Sequence, residues 1–342
     1  MSFSLHPPIL ASIGFAVLCA VELQAAVSGT IPIEAPEPPQ GFPSRQAVMT
    51  AILKKELPLV APPSTLPSRI KELKDIEYGM GKDRALKLDL YLPAKSDPRK
   101  PSLLFIHGGG WSGGSRDVYK PYTVEFAKRG FVAATASYRL SGEAPFPAAV
   151  RDTKCAIRWM RANADQFGIN PERIAAIGGS AGGHLSMMLG YSPHVSQLEG
   201  NGGHADQSSA VQAVVNFYGP VDLTTKMGQE SDLVRRFLNG NRYTENPTIY
   251  REASPLFHLG KDSPPTLIIH GTLDETVKIQ QGDRLAEKLE QLKVPYAYAR
   301  IEGWPHSLDA ARTMNAYCVS VVESFLQQVF EFAPSSFYSK QQ

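Results

Sequence analysis

The chain has 342 residues, enough for one large domain or two small ones. Its 35 Lys and Arg residues against 33 Asp and Glu leave a formal charge of +2, and no basic block stands out, which argues against a nucleic-acid-binding protein. Three cysteines are too few for a disulfide framework, and none has the paired spacing of a structural zinc site.

The first 26 residues have the pattern of a secretory leader. An apolar run extends from Ile9 to Val21, and small residues follow at Ala25 and Ala26, where cleavage would occur. The run is too short to span a membrane. We therefore predict a signal peptide over residues 1–26 and a secreted or periplasmic protein without stable membrane association once the leader is removed. Because the preceding segment lacks Lys and Arg, an uncleaved apolar anchor is the alternative.

Residues 27–67 are rich in proline and are predicted to form a linker or wrapping arm, since proline donates no backbone hydrogen bond. One short helix is expected within it, over Arg45–Leu57. Next come two alternating stretches, Lys74–Tyr78 and Leu86–Leu92, which are typical of an antiparallel pair with one solvated face.

Short apolar runs then alternate with helical stretches over residues 68–333, which are predicted to form one domain, followed by a tail at 334–342. Runs of this kind indicate parallel strands buried on both faces. The predicted strands are Leu103–Ile106, Phe131–Ala136, Ile174–Ile177, Val211–Phe217, Leu267–Ile269 and Tyr296–Ile301. The predicted helices are Val118–Arg129, Ala148–Phe167, Ala181–Tyr191, Gln281–Leu292 and Leu308–Phe330. Together they predict an α/β fold: a mostly parallel eight-stranded sheet with an antiparallel N-terminal edge and helices on both faces.

A G-x-S-x-G sequence centred on Ser180 lies between an apolar run and a helical stretch. A nucleophile on a sharp strand-to-helix turn needs small neighbours, and the turn places the amide of Ala181 at the helix N-terminus, where negative charge is favoured. The G-x-S-x-G sequence by itself is weak evidence, but its position between a strand and a helix predicts Ser180 as the nucleophile.

A second and more specific sequence, His107–Trp111 (HGGGW), follows the strand ending at Ile106. Successive glycines allow backbone N–H groups to converge on one point, so we expect Gly109 and Gly110 to form an oxyanion hole with Ala181. A purely structural glycine loop is the alternative. His107 is expected to brace this loop by hydrogen bonding rather than to act in catalysis.

The serine needs a base, and the base needs an acid to orient it. Asp274 and His306 each follow one of the last two apolar runs, and therefore belong to the same edge of the sheet as Ser180. The rival bases are His184, His258 and His270, and the rival acids are Glu275 and Asp309. Trp111 and Trp304, beside the oxyanion loop and the base, are predicted to line the substrate site, with simple packing as the alternative.

These motifs resemble the bacterial acetyl-esterase-like (BD-FAE-like) branch of the α/β-hydrolases, close to the hormone-sensitive-lipase group. The resemblance covers about residues 70–332 and rests on HGGGW, SYRL (Ser137–Leu140), FPAAVRD (Phe146–Asp152), NPERIAAIGGSAGGHLS (Asn170–Ser186) and HGTLDETV (His270–Val277). It implies a triad of Ser180, Asp274 and His306, in the chain order of α/β-hydrolases. One departure is Pro305, where relatives usually have glycine directly before the histidine.

The expected reaction is hydrolysis of an ester through an acyl-enzyme, without metal or cofactor. Polar segments at residues 192–209 and 222–264 lack the long apolar helix of a lipase lid, which favours short acyl groups, acetyl above all, on a small molecule or on acetylated carbohydrate. An exopeptidase related to prolyl oligopeptidase, a lipase, and a non-catalytic binding protein that keeps the fold are the alternatives. Neither the natural alcohol nor the oligomeric state follows from the sequence.

Overall fold

An eight-stranded sheet runs through the part of the chain that the computed structural model describes, which is residues 29–95, 97 and 100–331. Its strands are β1 (Ile70–Met80), β2 (Ala85–Pro93), β3 (Ser102–Ile106), β4 (Ala133–Ala136), β5 (Ile174–Gly179), β6 (Ala213–Phe217), β7 (Thr266–Gly271) and β8 (Tyr296–Ile301). They lie in the order β1-β2-β4-β3-β5-β6-β7-β8. The predicted leader at residues 1–26 and the tail at 334–342 lie outside the described residues.

The first two strands form the antiparallel edge of this sheet. β1 pairs with β2, and β2 with β4, in antiparallel register, whereas the remaining neighbours are parallel. β3 to β7 are buried at every position, as their apolar sequences predict. The predicted fold class is therefore confirmed, and the carboxyl ends of β3, β5, β7 and β8 face one edge, where a site is expected.

Helices cover both faces of the sheet. They are α1 (Arg45–Leu53), α2 (Lys120–Lys128), α3 (Ala148–Ala162), α4 (Ala164–Phe167), α5 (Ala181–Tyr191), α6 (Lys226–Glu230), α7 (Asp232–Phe237), α8 (Pro247–Glu252), α9 (Gln280–Leu292) and α10 (Arg312–Phe330). Among the described residues, 3₁₀ turns lie at Arg116–Tyr119, Ser196–Leu198, Pro255–Phe257 and Leu308–Ala310. Alternate residues of β3 point to opposite faces: Leu104 and Ile106 pack with α3, α5 and α9, and Leu103 and Phe105 with α1, α2 and α10.

Several predicted helices end earlier or are interrupted. Helix α1 stops at Leu53 rather than Leu57, because Lys55 adopts a left-handed backbone conformation with φ of 60°. The helix expected over residues 148–167 is broken at Asn163, whose side-chain amide donates to the carbonyl of Trp159. None of the helices among residues 29–331 is long and apolar enough to cross a bilayer.

The proline-rich segment 29–67 lies against the α/β domain, and we call it the arm. It begins beside β8, where Thr30 forms a parallel bridge to Tyr296. It later forms an antiparallel bridge from Leu59 to Ala311. Proline limits the ladder hydrogen bonds it can make, so isolated bridges rather than a ninth strand result.

Candidate active site

Ser180 lies on a sharp turn between β5 and α5. Its φ of 57° and ψ of −122° are strained for a residue with a Cβ, and its side chain stands at the floor of a cleft. The turn depends on close backbone packing. A Cβ at Gly182 would lie 1.9 Å from the carbonyl oxygen of Ile106, so only glycine lets α5 approach β3 this closely. The strand-turn-helix geometry expected of the G-x-S-x-G sequence is present.

The glycine loop after β3 lies beside Ser180. Gly109 and Gly110 have φ of 105° and 59°, which are conformations that favour glycine. Among the backbone hydrogen bonds of the described residues, none has the N–H of Gly109, Gly110 or Ala181 as its donor. All three amides are therefore available to a ligand in the cleft.

His107 braces this loop, as the sequence predicts. Its Nδ1 lies 2.8 Å from the carbonyl oxygen of Gly108, and its ring stacks on Tyr138 with 4.3 Å between centroids. The Tyr138 hydroxyl donates to the carbonyl of His107 at 2.9 Å. Burial lowers the pKa of His107, which favours the neutral ring.

Trp111, predicted to line a substrate site with simple packing as the alternative, packs in the core behind the glycine loop. Its side chain is 3% exposed and stacks on Phe237 with 4.5 Å between centroids. The indole Nε1 donates to Nδ1 of His184 at 3.2 Å, and Nε2 of His184 donates to the carbonyl of Ala253 at 2.7 Å. Burial lowers the pKa of His184 to about 4, so this ring is neutral and forms part of the core behind the loop. Leu233 of α7, rather than Trp111, covers Gly110.

Ser180, His306 and Asp274 form one hydrogen-bonded chain across the cleft. Nε2 of His306 lies 3.0 Å from Oγ of Ser180, and Nδ1 lies 2.7 Å from Oδ2 of Asp274. The other carboxylate oxygen, Oδ1, accepts from the amides of Thr276 and Val277 at 2.9 and 2.8 Å. Three loops that are distant in sequence thus meet at the carboxyl edge of the sheet, as the positions of their motifs predict.

A second histidine, His270, contacts the same carboxylate. Its Nε2 lies 2.8 Å from the carbonyl oxygen of Val277 and 3.2 Å from Oδ2 of Asp274. Burial raises the pKa of Asp274, but the hydrogen bonds from His270 and His306 outweigh it and leave that pKa below its ordinary value. Sequence reasoning treated His270 only as a rival base. The position of His270 at the end of β7, four residues before Asp274, is the sequence feature that could have predicted this contact.

The remaining rivals lie elsewhere. Glu275 is exposed and pairs with Arg45 at 2.9 Å, and Nε2 of His258 donates to the carbonyl of Glu252. Asp309 is buried and accepts a hydrogen bond from Tyr218, whose ring contacts His306 edge-on with 4.7 Å between centroids. None of these groups occupies the position of Asp274 or His306 in the hydrogen-bonded chain.

The arm holds the loop that carries His306. Before the histidine, the amide of Phe42 donates to the carbonyl of Gly303 at 2.9 Å, and Nε1 of Trp304 donates to the carbonyl of Pro39 at 3.0 Å. Trp304, predicted to line the substrate site with simple packing as the alternative, is 2% exposed and packs edge-on against Phe42. Its indole packs against the arm instead because its N–H finds a partner there.

The arm also holds the chain after the histidine. The amide of Val60 donates to the carbonyl of Ala310, and the amide of Arg312 donates to the carbonyl of Pro58, both at 2.8 Å. Val60 and Pro62 then form one wall of the cleft, which has a volume of about 660 Å³. The arm therefore contributes to the site directly, which its composition alone did not reveal.

The sequence that builds this site matches a known protein family. The family model described as BD-FAE matches residues 88–289, more than half of the chain. The chain belongs to the BD-FAE family. The match includes the positions of Ser180, Asp274 and the glycine loop, and it leaves out His306 and the arm.

Curated relatives of this BD-FAE chain are named as esterases. The probable carboxylic ester hydrolase LipM of Mycobacterium tuberculosis is 32% identical over 265 residues, which are 75% of this chain and 61% of LipM. Esterase LipC of the same organism is 33% identical over 262 residues, which are 73% of this chain and 64% of LipC. The chain thus spans less than two thirds of the length of these two relatives.

Solved structures of esterases share the fold. A truncated carbohydrate esterase from gut microbiota superposes with a TM-score of 0.68 at 26% identity, over 79% of this chain and 99% of that one. The apo form of Thermogutta terrifontis esterase 2 superposes with a TM-score of 0.66 at 29% identity, over 81% of this chain and all of its own. The sheet and helices of this BD-FAE domain are therefore those of an α/β-hydrolase esterase.

Proposed function

We propose that this protein is a serine carboxylic-ester hydrolase. The observation that carries the proposal is the chain of hydrogen bonds from Ser180 through His306 to Asp274, beside three backbone amides without a backbone partner. The relatives and structural neighbours, which are named as esterases, support it.

In the proposed reaction, His306 takes the proton of Ser180 through Nε2 as Oγ attacks the ester carbonyl carbon. The Asp274 carboxylate, kept ionised by its hydrogen bonds, fixes the tautomer of His306 and stabilises the imidazolium that forms. The imidazolium then protonates the departing alcohol. Water, activated by the same imidazole, cleaves the acyl-enzyme and regenerates Ser180.

The amides of Gly109, Gly110 and Ala181 are proposed to bind the oxyanion of each tetrahedral intermediate. The N-terminus of α5 adds its positive dipole end at the same place. Such preorganised donors stabilise the charge that develops in the transition state, and removing one donor typically costs about 10²–10³ in rate. No step of this scheme uses a metal or a cofactor.

We further propose that the acyl group is short, with acetyl the first candidate, and that an acetylated carbohydrate is a candidate substrate. The insertion at residues 222–264 folds into three helices of five or six residues, too short to form the apolar lid of an interfacial lipase. The likeness to a carbohydrate esterase from gut microbiota supports the carbohydrate. Export to the periplasm or beyond, predicted from residues 1–26, would bring the enzyme to such a polymer.

The alternatives are less well supported. The relatives carry esterase names rather than peptidase names, which disfavours an exopeptidase. A non-catalytic binding protein would have no need for the 3.0 Å contact between His306 and Ser180 or for the strained conformation of Ser180.

The test is hydrolysis of p-nitrophenyl esters from acetate to decanoate by the wild-type chain and by Ser180→Ala. We expect the highest kcat/KM at acetate or butyrate and a loss of about 10⁴-fold or more in the variant. Acetate release from acetylated xylan then tests the carbohydrate.

Ser186→Ala is the matched control, because Ser186 lies on the same helix and its hydroxyl only donates to the carbonyl of Gly182. It should retain activity within a few-fold of wild type. Ester turnover that survives in Ser180→Ala would disprove the proposed nucleophile, and a preference for decanoate would point to a lipase.

A further inference from the structure

The floor of the cleft next to Ser180 is polar, although the rest of its wall is largely apolar. Three tyrosines, Tyr119, Tyr122 and Tyr218, line it together with Asp309 and Asn315. Each tyrosine is at most 4% exposed, and Asp309 is 8% exposed. A pocket for a plain alkyl chain needs no such groups, because each buried polar atom costs free energy unless it is hydrogen-bonded.

Hydrogen bonds within the protein use only part of the accepting capacity of the Asp309 carboxylate. It accepts a hydrogen bond from the Tyr218 hydroxyl, and the side-chain amide of Asn315 donates to its backbone carbonyl at 3.2 Å. Burial raises the pKa of the tyrosine hydroxyls, and the charge of Asp309 raises it further. All three tyrosines therefore keep their protons and can donate.

The hydroxyl of Tyr122 is the exception in this cluster. It is buried, it makes no hydrogen bond of standard geometry with the described residues, and it lies close enough to Asp309 to lower the pKa of that carboxyl. A buried hydroxyl without a well-formed hydrogen bond costs free energy, because its lost contact with water is not replaced. A ligand group in the cleft that both donates and accepts would pair with it and with the free lone pairs of Asp309 at once.

We propose that Tyr122 and Asp309 form a subsite for a hydroxyl group carried by the substrate close to its scissile ester. The inference rests on the proposed esterase function and adds to it the polar group that the enzyme selects. The substrate hydroxyl donates to the carboxylate of Asp309 and accepts from the hydroxyl of Tyr122. Tyr218 holds the carboxylate in place for this contact.

A neutral hydroxyl fits this subsite better than an ammonium group. The Tyr218 ring links Asp309 to His306, and the imidazole becomes a cation in each proton transfer of the proposed reaction. A substrate cation held at Asp309 would repel that imidazolium and weaken its stabilisation, whereas a hydroxyl adds no charge.

The experiment compares pairs of esters that differ in one hydroxyl. On the alcohol side the pair is 2-hydroxyethyl acetate against propyl acetate, and on the acyl side it is ethyl 3-hydroxypropanoate against ethyl butanoate. For each pair we measure the ratio of kcat/KM for the hydroxylated ester to that of its alkyl analogue. We expect a ratio of about 10 in one of the two pairs, which identifies the side of the ester that reaches the subsite.

Tyr122→Phe removes a hydroxyl that makes no hydrogen bond of standard geometry, so its unfolding midpoint should stay close to that of wild type. In the pair that shows the preference, we expect this variant to lower the ratio by about 3- to 10-fold. The matched control is Tyr191→Phe, whose buried hydroxyl bonds to Thr266 outside the cleft and should leave the ratio unchanged. Calorimetry on Ser180→Ala, which should not cleave the esters, should show tighter binding of the hydroxylated ester than of its alkyl analogue in the same pair.

Ratios near one in both pairs would overturn the subsite, and so would a preference that Tyr122→Phe leaves intact. Either result, obtained while the wild type still hydrolyses the alkyl esters, would leave the esterase proposal standing. Absence of turnover on all four esters would instead refute the proposed function and the subsite with it.

Discussion

Ser180 and the glycine loop stand on β5 and β3 at the centre of the sheet, whereas Asp274 and His306 stand on loops after β7 and β8 at its edge. The central half is braced by neighbours in the core, such as the stacked pair of His107 and Tyr138. The edge half is braced by the arm, which bonds to the chain on both sides of His306. One half of the site therefore depends on local sequence, and the other depends on a distant segment.

This difference has an energetic basis. A loop between central strands is surrounded by packed elements on both faces, so short-range sterics determine its shape. A loop after an edge strand has solvent on one side and needs additional contacts to hold a side chain within the tolerance that catalysis demands. The three predictions below test this contrast, beginning with the largest expected effect.

In the central half, Gly109→Ala should reduce kcat by about 10²–10³-fold. A Cβ at this position would lie 2.4 Å from the carbonyl oxygen of Gly113, and the φ of 105° is unfavourable for alanine, so the loop must move and its amides with it. Steady-state kinetics on p-nitrophenyl acetate measure the loss. Gly113→Ala is the control, since a Cβ there would lie 3.8 Å from the carbonyl oxygen of Gly109, an ordinary van der Waals distance. A Gly109→Ala variant with more than a tenth of wild-type kcat would argue against an oxyanion role for this loop.

In the edge half, Gly41→Val should reduce kcat by about 10- to 100-fold through displacement of His306, with a smaller change in KM. A Cβ at Gly41 would lie 2.1 Å from the carbonyl oxygen of Glu302, so the arm must separate from the loop. Gly142→Val, where nothing lies within 4 Å of the added Cβ, is the control. If Gly41→Val keeps the kcat of wild type, the loop holds His306 without the arm and the contrast fails.

The last prediction concerns stability, rather than rate, in the core behind the glycine loop. The pKa of His184 is about 4 in the folded chain against an ordinary value of 6.5, so the unfolded chain binds a proton first as the pH falls. The contribution of the neutral ring to the free energy of unfolding is fully present above about pH 6.5. It falls by about 3 kcal/mol as the pH approaches 4.

Denaturant unfolding of wild type and His184→Gln at pH 7 and pH 4.5 measures this dependence. Glutamine has an acceptor for Trp111 and a donor for the Ala253 carbonyl but does not titrate, so the variant should lose less stability than wild type between the two pH values. Equal losses in the two proteins would show that His184 takes up its proton in the folded state.

The sequence predicts best where structure is local. Strand β8 and helix α5 begin and end at the predicted residues, and the turn at Ser180 follows from its small neighbours. The antiparallel edge pair and the buried parallel strands also follow from hydrophobic patterns, because buried parallel strands and half-solvated antiparallel strands have different periodicities.

Side-chain environments were harder to predict. Trp111 and Trp304 adjoin predicted site residues in sequence, yet each ring turns away to an N–H acceptor that composition does not reveal. The same holds for Asp309: it was weighed only as a rival acid, and its partner Tyr218 follows a different strand. Contacts between distant segments depend on the register of whole elements, and a single sequence carries no direct signal for them.

The bond between Trp304 and Pro39 joins residues that are 265 positions apart. During synthesis the arm precedes nearly all of the domain it binds, so its docking surface does not exist until β8 and the start of α10 have left the ribosome. Contacts of such long range form late, because closing the intervening loop costs entropy that only a nearly complete fold offsets. The turn at Ser180 thus forms well before His306 is held in position, and under the proposed function hydrolytic competence would be the last property that the nascent protein gains.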